Sequence, residues 1–450
     1  RDVRVSLLVG AVGVVLAVAL LISGVSAAYA AIPVATAGAV LLVLAGIFRF
    51  EVFVLTLIIV RAGADSLVDI GPLQVNAFLS ILFLVFGLIW LAGSVRSECP
   101  KTITGAPSLL FFVAGFLSVL GAAQPMPTTI ELLRVGSGLL MLEILQRLVR
   151  TRETLNRLLA ALLLSAVVPI GLGLYQAATG SGLWVAGFVR VVGTFRHPVP
   201  YSIYLVIIIL TIVALLPNVR TKLRIPLAIY AALAVVVLVS SLTRSAWMAL
   251  ALGIVVIAVL QSRWLIPLMV VVAIGAAVLS PNVMQRVTEM AEPGTSTVGD
   301  PTNSLTWRIN YWKETLDLAD GRTVTGIGMG MVQRSTPEEK APHNDYLRVV
   351  VEGGVLALAG YIWLLVALVR LALKAVRDRG RLRGPPKGVA VGFVASLAAL
   401  LLLGIVSNVI SQVVLLWYVA TIAALAAAAH HVAAEPEPVQ REEALVGSND

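Results

Sequence analysis

Apolar residues in this chain gather into long unbroken runs, neither alternating as along a half-buried strand nor striping one face of a helix. Fourteen runs lie near 5–25, 29–48, 50–62, 74–95, 108–123, 127–148, 155–178, 199–216, 223–241, 244–260, 263–280, 346–374, 388–409 and 412–432. About 20 apolar residues in a helix cross a hydrocarbon core of about 30 Å, and most of the runs are near that length. A membrane barrel would instead show alternating segments of about ten residues. The pattern predicts an all-α polytopic integral membrane protein with about twelve, and up to fourteen, transmembrane helices. The short runs 50–62 and 108–123 are the re-entrant or interfacial candidates.

Polar stretches divide these runs. Residues 1–280 read as spans interrupted by a short outer segment, 179–198, and residues 281–345 form a large outer loop. Residues 346–432 carry the last spans, and the acidic stretch 433–450 reads as a disordered cytoplasmic tail. The large loop has a pattern of its own. In NSLTWRINYWKETLDLADG, Leu305, Ile309, Trp312 and Leu316 recur at helical spacing, Asn303 or Ser304 can cap the start, and Gly321 can end it. This predicts an amphipathic helix on or over the membrane surface, where tryptophan is favoured.

Composition agrees: 59% hydrophobic, 13% charged and a mean hydropathy of +0.97 lie outside the range of soluble domains. The net charge of +9 changes the picture only through its distribution. With the N-terminus inside, the inner loops take Arg1, Arg4, Arg49, Arg96, Lys101, Arg147, Arg150, Arg152, Arg157, Arg220, Lys222, Arg224 and Arg263. The last inner loop takes Lys374, Arg377, Arg379, Arg381, Arg383 and Lys387, while the short outer loops near 26, 68, 125 and 411 take none. That asymmetry predicts two cytoplasmic termini. It also removes a nucleic-acid partner, because the basic residues are scattered over many loops. The single cysteine, Cys99, excludes an intramolecular disulfide. The run 5–25 lacks a clear cleavage site and reads as a span.

Some arginines oppose the charge rule. Arg190 and Arg196 lie in the outer segment 179–198, and Arg244 lies at a tight outer turn. A long loop can be translocated whatever its charge, so Arg286 and Arg308 in 281–345 say less by themselves. A single membrane-edge arginine is as readily explained by lipid phosphate.

The chemistry on offer is narrow. His430 and His431 are adjacent, so they do not share a helix face, and they read as having no acidic partner; neither they nor any other motif predict a metal site. TGIGMGM (325–331) follows no strand and lies outside, where nucleotide is absent, so it reads as a tight turn. There is no G-x-S-x-G elbow. No cofactor is predicted. What remains is histidine and arginine on the outer side: Arg196 and His197 in GTFRHPVPYS, Arg244 in SSLTRSAW, Arg308 in TWRINYW and His343 in PHNDYL, with Asn344 or Asp345 to cap the following helix. By itself His343 reads as a cap-region histidine, Glu352 as the i+4 partner of Arg348, and Glu131 with Arg134 as a second structural pair. Taken together the residues read otherwise. Arginine forks hold phosphate in a bidentate way. A histidine beside them at a helix N-terminus is held neutral and can accept a proton. Phosphate clamp plus neutral base describes group transfer from a lipid diphosphate to a hydroxyl.

These residues resemble the O-antigen ligase family, which takes in O-antigen ligases, some O-antigen polymerases and protein O-oligosaccharyltransferases. The resemblance rests on GTFRHPVPYSIYL (193–205), SLTRSAWMALALG (241–253), WRINYWKETLDL (307–318), GIGMGM (326–331) and HNDYLRVVVEGGVLAL (343–358), and it covers roughly residues 75–425. It implies a bundle of about twelve transmembrane helices with a large periplasmic loop, in the bacterial inner membrane. It implies a glycan donor linked to undecaprenyl diphosphate and, for a ligase, a lipid A–core acceptor, with a metal-independent inverting displacement on the periplasmic face. The essential histidine matches His343. The diphosphate-binding arginines match Arg196 and Arg308, then Arg244 and Arg286, with His197 beside them; Asn344, Asp345, Tyr346 and Glu352 fall in supporting positions. Polymerase and protein glycosylation are the alternatives within the family. A flippase is the rival outside it, and the mostly clean spans argue against that.

Overall fold

The structure, a computed structural model, describes residues 28–65, 75–95, 102–185, 187–291, 304–336 and 339–434. The expected span 5–25, the inner-loop residues Arg1, Arg4, Arg96 and Lys101, the Asn303 cap and the tail from 435 onward lie outside the described residues.

Apolar helices dominate. They are α1 (Ala28–Phe48), α2 (Phe50–Gly63), α3 (Val75–Val95), α4 (Gly105–Leu120), α5 (Pro125–Leu148), α6 (Arg152–Ser165) and α7 (Val167–Thr179). After a small hairpin, β1 (Leu183–Val185) and β2 (Phe188–Arg190), come α8 (Pro198–Leu215), α9 (Thr221–Ser240), α10 (Arg244–Leu260), α11 (Leu265–Leu279) and α12 (Pro281–Ala291). The loop helix α13 (Ser304–Asp317) and the short α14 (Val332–Ser335) lead to α15 (Asp345–Asp378), α16 (Pro385–Val406) and α17 (Val413–Ala434). Among the described residues six helices are long and apolar enough to cross a membrane, or seven if α11 and α12, bent by 107°, form one span. The expected span 155–178 is two helices meeting at Ala166, together 28 residues.

Helix α8 forms the centre. Its prolines sit at the first positions, where no N–H is needed, and its interior is an apolar run buried almost throughout, including Tyr201 and Tyr204. Gly388 and Gly392 of α16 face Leu215, Ala214 and Thr211, so α16 approaches α8 closely, as small residues allow where lipid offers no hydrophobic drive. Helices α9 and α10 also pack on α8, α17 packs on α5, and α4 lies along α15. Helix α11 has no buried residue and turns its apolar surface outward.

Two features of α15 differ from the sequence expectation. The helix is not continuous: Gly354 has φ 73°, and an added Cβ there would run into the Val324 and Thr325 backbone. The break leaves backbone groups without helical partners, and the segment 323–328 supplies them. Ile327 N donates to Val351 O (3.0 Å), Gly328 N to Glu352 O (2.9 Å), and Val355 N to Thr323 O (2.9 Å). Gly326, with φ 72°, lies against the Glu352–Gly353 backbone, so the glycine-rich turn is built for close approach. At the other end of α15, Asp378 reaches His430 Nδ1 at 3.1 Å. That corrects the expectation that His430 has no acidic partner: the partner comes from a helix distant in sequence.

Candidate active site

Loops at one end of the bundle converge on His343. Its φ is 52°, a left-handed conformation uncommon for a residue other than glycine and costing about 1–3 kcal/mol. The surroundings over-determine it. Trp312 Nε1 donates to Pro342 O at 2.7 Å, and the Tyr311 hydroxyl bonds Thr336 Oγ1 (2.8 Å) and the Lys340 carbonyl. On the other side Asn344 is the N-cap of α15, its Oδ1 accepting from Leu347 N at 3.0 Å. Asp345 is not the cap. Its carboxylate accepts from Val409 N and Ile410 N, each at 3.2 Å, and so holds the connection between α16 and α17. In that connection the Asn408 side-chain amide lies 3.1 Å from His343 Nδ1.

Helix α13 therefore carries Arg308 and steadies the approach to His343. Its buried residues are Tyr311 and Thr315, whereas Ile309 (43% exposed) and Leu316 (49%) face outward. The expected stripe is thus split: Ile309 and Leu316 are turned away from the protein, while Trp312 is half-buried with its indole N–H on Pro342 O.

Positive charges crowd this end. Burial, then the charges of Arg308, His197 and Lys340, push the His343 imidazole down to about 4, so it is neutral at pH 7. Burial and then Arg190 lower His197, which is also the N-cap of α8, its Nδ1 accepting from Val199 N at 3.3 Å. Arg308 is lowered by burial and Arg244. Arg190 is pushed down to about 10 by burial, Arg286 and Arg244, and still carries its charge near neutral pH. Sequence reasoning placed Arg190 in an outer segment but gave it no role. The β-hairpin that positions it is too short to read as strands.

The structure thus brings His343, His197, Arg308 and Arg244 into one electrostatic neighbourhood, with Arg286 joined through Arg190. Arg190 is committed to structure: Nε donates to Ser241 O (2.8 Å) and Nη2 to Thr243 Oγ1 (2.7 Å), fixing the turn from which Arg244 starts α10. Ser202 of α8 bonds Ser241 Oγ and Thr243 Oγ1 in the same turn. The Arg286 guanidinium lies over the Phe188 ring, 4.3 Å from its centre. Arg196 is directed elsewhere, its Nε 3.4 Å from Asp65 O. Tyr346 packs on Tyr361 with ring centres 5.8 Å apart.

Glu352 lies outside this cluster. Arg348 bonds Glu352 (2.9 Å), as the i, i+4 spacing predicts, and also Glu131 of α5 (3.2 Å), which bonds Arg134 (3.3 Å). Glu352 also accepts from Gly330 N (2.8 Å) and Val332 N (3.3 Å), anchoring the glycine-rich turn. Beside the His343 loop an apolar cavity of about 90 Å³ runs among α4, α5, α15, α16 and α17, lined by Asp345, Tyr346, Leu139, Leu397 and Val409 among others.

Apolar helices with a histidine-centred, arginine-rich site at one end define a multi-pass α-helical membrane protein. A family model described as O-Antigen ligase matches residues 229–362, a stretch that includes Arg244, Arg286, Arg308 and His343 but not Arg196, His197 or Asn408. This match supports the O-antigen ligase family for the chain, the family its motifs resemble, and points to an enzyme of O-antigen glycan transfer. No curated protein matches the chain.

Proposed function

We propose that the protein transfers a glycan from undecaprenyl diphosphate to the lipid A–core of lipopolysaccharide, on the periplasmic face of the bacterial inner membrane. The observation that carries this reading is a strained histidine that burial and the charges of Arg308, His197 and Lys340 keep neutral. The diphosphate binds among Arg308, Arg244 and Arg286, with Arg196 and His197 at the margin, and the apolar cavity beside Tyr346 takes isoprene units of its tail. His343 removes the proton from an acceptor hydroxyl, whose oxygen attacks the anomeric carbon. The bond from that carbon to the diphosphate oxygen breaks on the opposite face, and the electron pair leaves with the diphosphate, stabilised by the arginines. The sugar configuration inverts, and the imidazolium returns its proton to solvent or to the departing phosphate.

The test uses purified protein with undecaprenyl-diphosphate glycan and lipid A–core, beside His343→Ala. Glycan on lipid A–core, lost in the variant, is the expected result. A ladder of longer lipid-linked glycan without core transfer makes the enzyme a polymerase, and transfer to serine or threonine peptides makes it a protein transferase. A folded wild-type protein that transfers to none of these acceptors overturns glycan transfer altogether.

A further inference from the structure

We propose that Asn408 is a positioning residue that fixes the tautomer of His343, its amide oxygen accepting the Nδ1 proton so that the Nε2 lone pair faces the acceptor hydroxyl. The inference rests on His343 being the base and says which of its nitrogens acts. Asn408 is 65 residues from His343 in sequence; its amide Nδ2 is placed 3.1 Å from His343 Nδ1, while its buried Oδ1 has no hydrogen-bond partner. A neutral imidazole has one N–H and one lone pair, and the partner of one nitrogen decides the state of the other. With the amide nitrogen facing it, as placed, the Nδ1 lone pair is engaged and Nε2 carries the proton, leaving nothing to accept one from a hydroxyl. Turning the amide about χ2 exchanges two groups of equal shape: the orphaned Oδ1 then accepts the Nδ1 proton and Nε2 is left open.

The surroundings make such a device necessary. The charges facing the ring are Arg308 from α13, Lys340 from the approach segment and His197 from the start of α8, all of which disfavour the imidazolium. The resting ring is neutral, so its tautomer must be chosen by a hydrogen bond. A neutral amide makes that choice without the fixed negative charge that a carboxylate would place beside the phosphate site. Asn408 is also held in register. The Asp345 carboxylate takes the N–H groups of Val409 and Ile410, Gln412 N donates to Val409 O (3.0 Å), and Ser411 Oγ donates to Asn408 O (3.3 Å). Two side chains two residues apart, His343 and Asp345, thus grip three successive residues of one connection.

The decisive measurement is the ¹⁵N spectrum of histidine-labelled protein, with the His343 signals identified by their loss in His343→Gln. The expected wild-type spectrum has a protonated Nδ1 and a bare Nε2, and in Asn408→Leu this preference is lost. A protonated Nε2 in the wild type overturns the proposal, whether or not His343 is the base. In kinetics, Asn408→Leu should lower kcat by about 10–100-fold with little change in donor KM, the usual cost of removing a histidine's orienting partner. Asn408→Asp, which can only accept, should recover most of that loss and move the acid limb of the rate to higher pH. An unchanged kcat in Asn408→Leu, or Asn408→Asp as poor as Asn408→Leu, removes the positioning role while an inactive His343→Ala still upholds the base. An active His343→Ala removes the base itself. Should Asn408→Leu fail to fold, the wild-type spectrum and Asn408→Asp still decide.

Discussion

Two groups of charged side chains flank the start of α15, and the interactions described within them differ in sign. In the first, Glu131, Arg134, Arg348 and Glu352 alternate anion and cation at 2.9–3.3 Å, and Glu352 has backbone N–H donors as well. In the second, Arg190, Arg244, Arg286, Arg308 and Lys340 lie in one another's fields or in that of His343, and each interaction resolved there lowers the affinity of a neighbour for its proton. In the first network each described charge faces its opposite; in the second, Arg190, Arg308 and His343 each feel a neighbour's like charge, which a bound anion would offset. Both groups contain arginine near a helix start, so residue type does not tell them apart. The sign of the neighbours does.

The comparison breaks most visibly at His343. His343→Ala should lower transfer by about 10²–10⁴ while the thermal transition in detergent stays close to that of the wild type, because the side chain's described hydrogen bond, to Asn408, contributes only about 1 kcal/mol. The balanced network should respond the other way. Glu352→Ala leaves Arg348 buried with one carboxylate fewer, and a loss of about 3–5 kcal/mol in stability is expected from thermal or denaturant unfolding. If Glu352→Ala is as stable as the wild type, the network is not structural. A smaller effect follows for Arg308→Lys. It keeps the charge but not the fork, so transfer should fall about 10–100-fold with unfolding unchanged. The smallest effect is in pH. His343 must be neutral, so activity is flat above its pKa and falls below it. In the free protein burial, and then the charges of Arg308, His197 and Lys340, push that pKa down to about 4. A bound diphosphate offsets those charges and raises it, so the acid limb of kcat should lie at higher pH than that of kcat/KM. Coincident limbs would mean that the diphosphate binds away from His343.

The sequence made the helices legible because a membrane demands apolar runs, and it made His343 and the Arg348–Glu352 pair legible because both are local. What it hid was long-range or conformational. Glu131 meets Arg348 across 217 residues, and Asn408 falls within the expected span 388–409, whereas the helix ends at Val406 and leaves Asn408 in the connection that follows. Arg190 belongs to no motif that the sequence offered, yet the hairpin register sends it inward to Ser241 and Thr243, while Arg196, beyond the hairpin, faces Asp65 O. The break at Gly354 was hidden because a double glycine within an apolar run fits equally well into a continuous helix.

That break bears on motion. The carbonyls of Val351 and Glu352 hold the amides of Ile327 and Gly328, and Thr323 holds the amide of Val355. A glycine-rich turn at the rim of a membrane protein is ordinarily the place where deuterium enters first. Here these three amides open only if the start of α15 opens with them. Their exchange should match that of a packed helix and lag far behind the outward-facing Ile309–Leu316 side of α13, so that the part of the rim richest in glycine is the part that yields least.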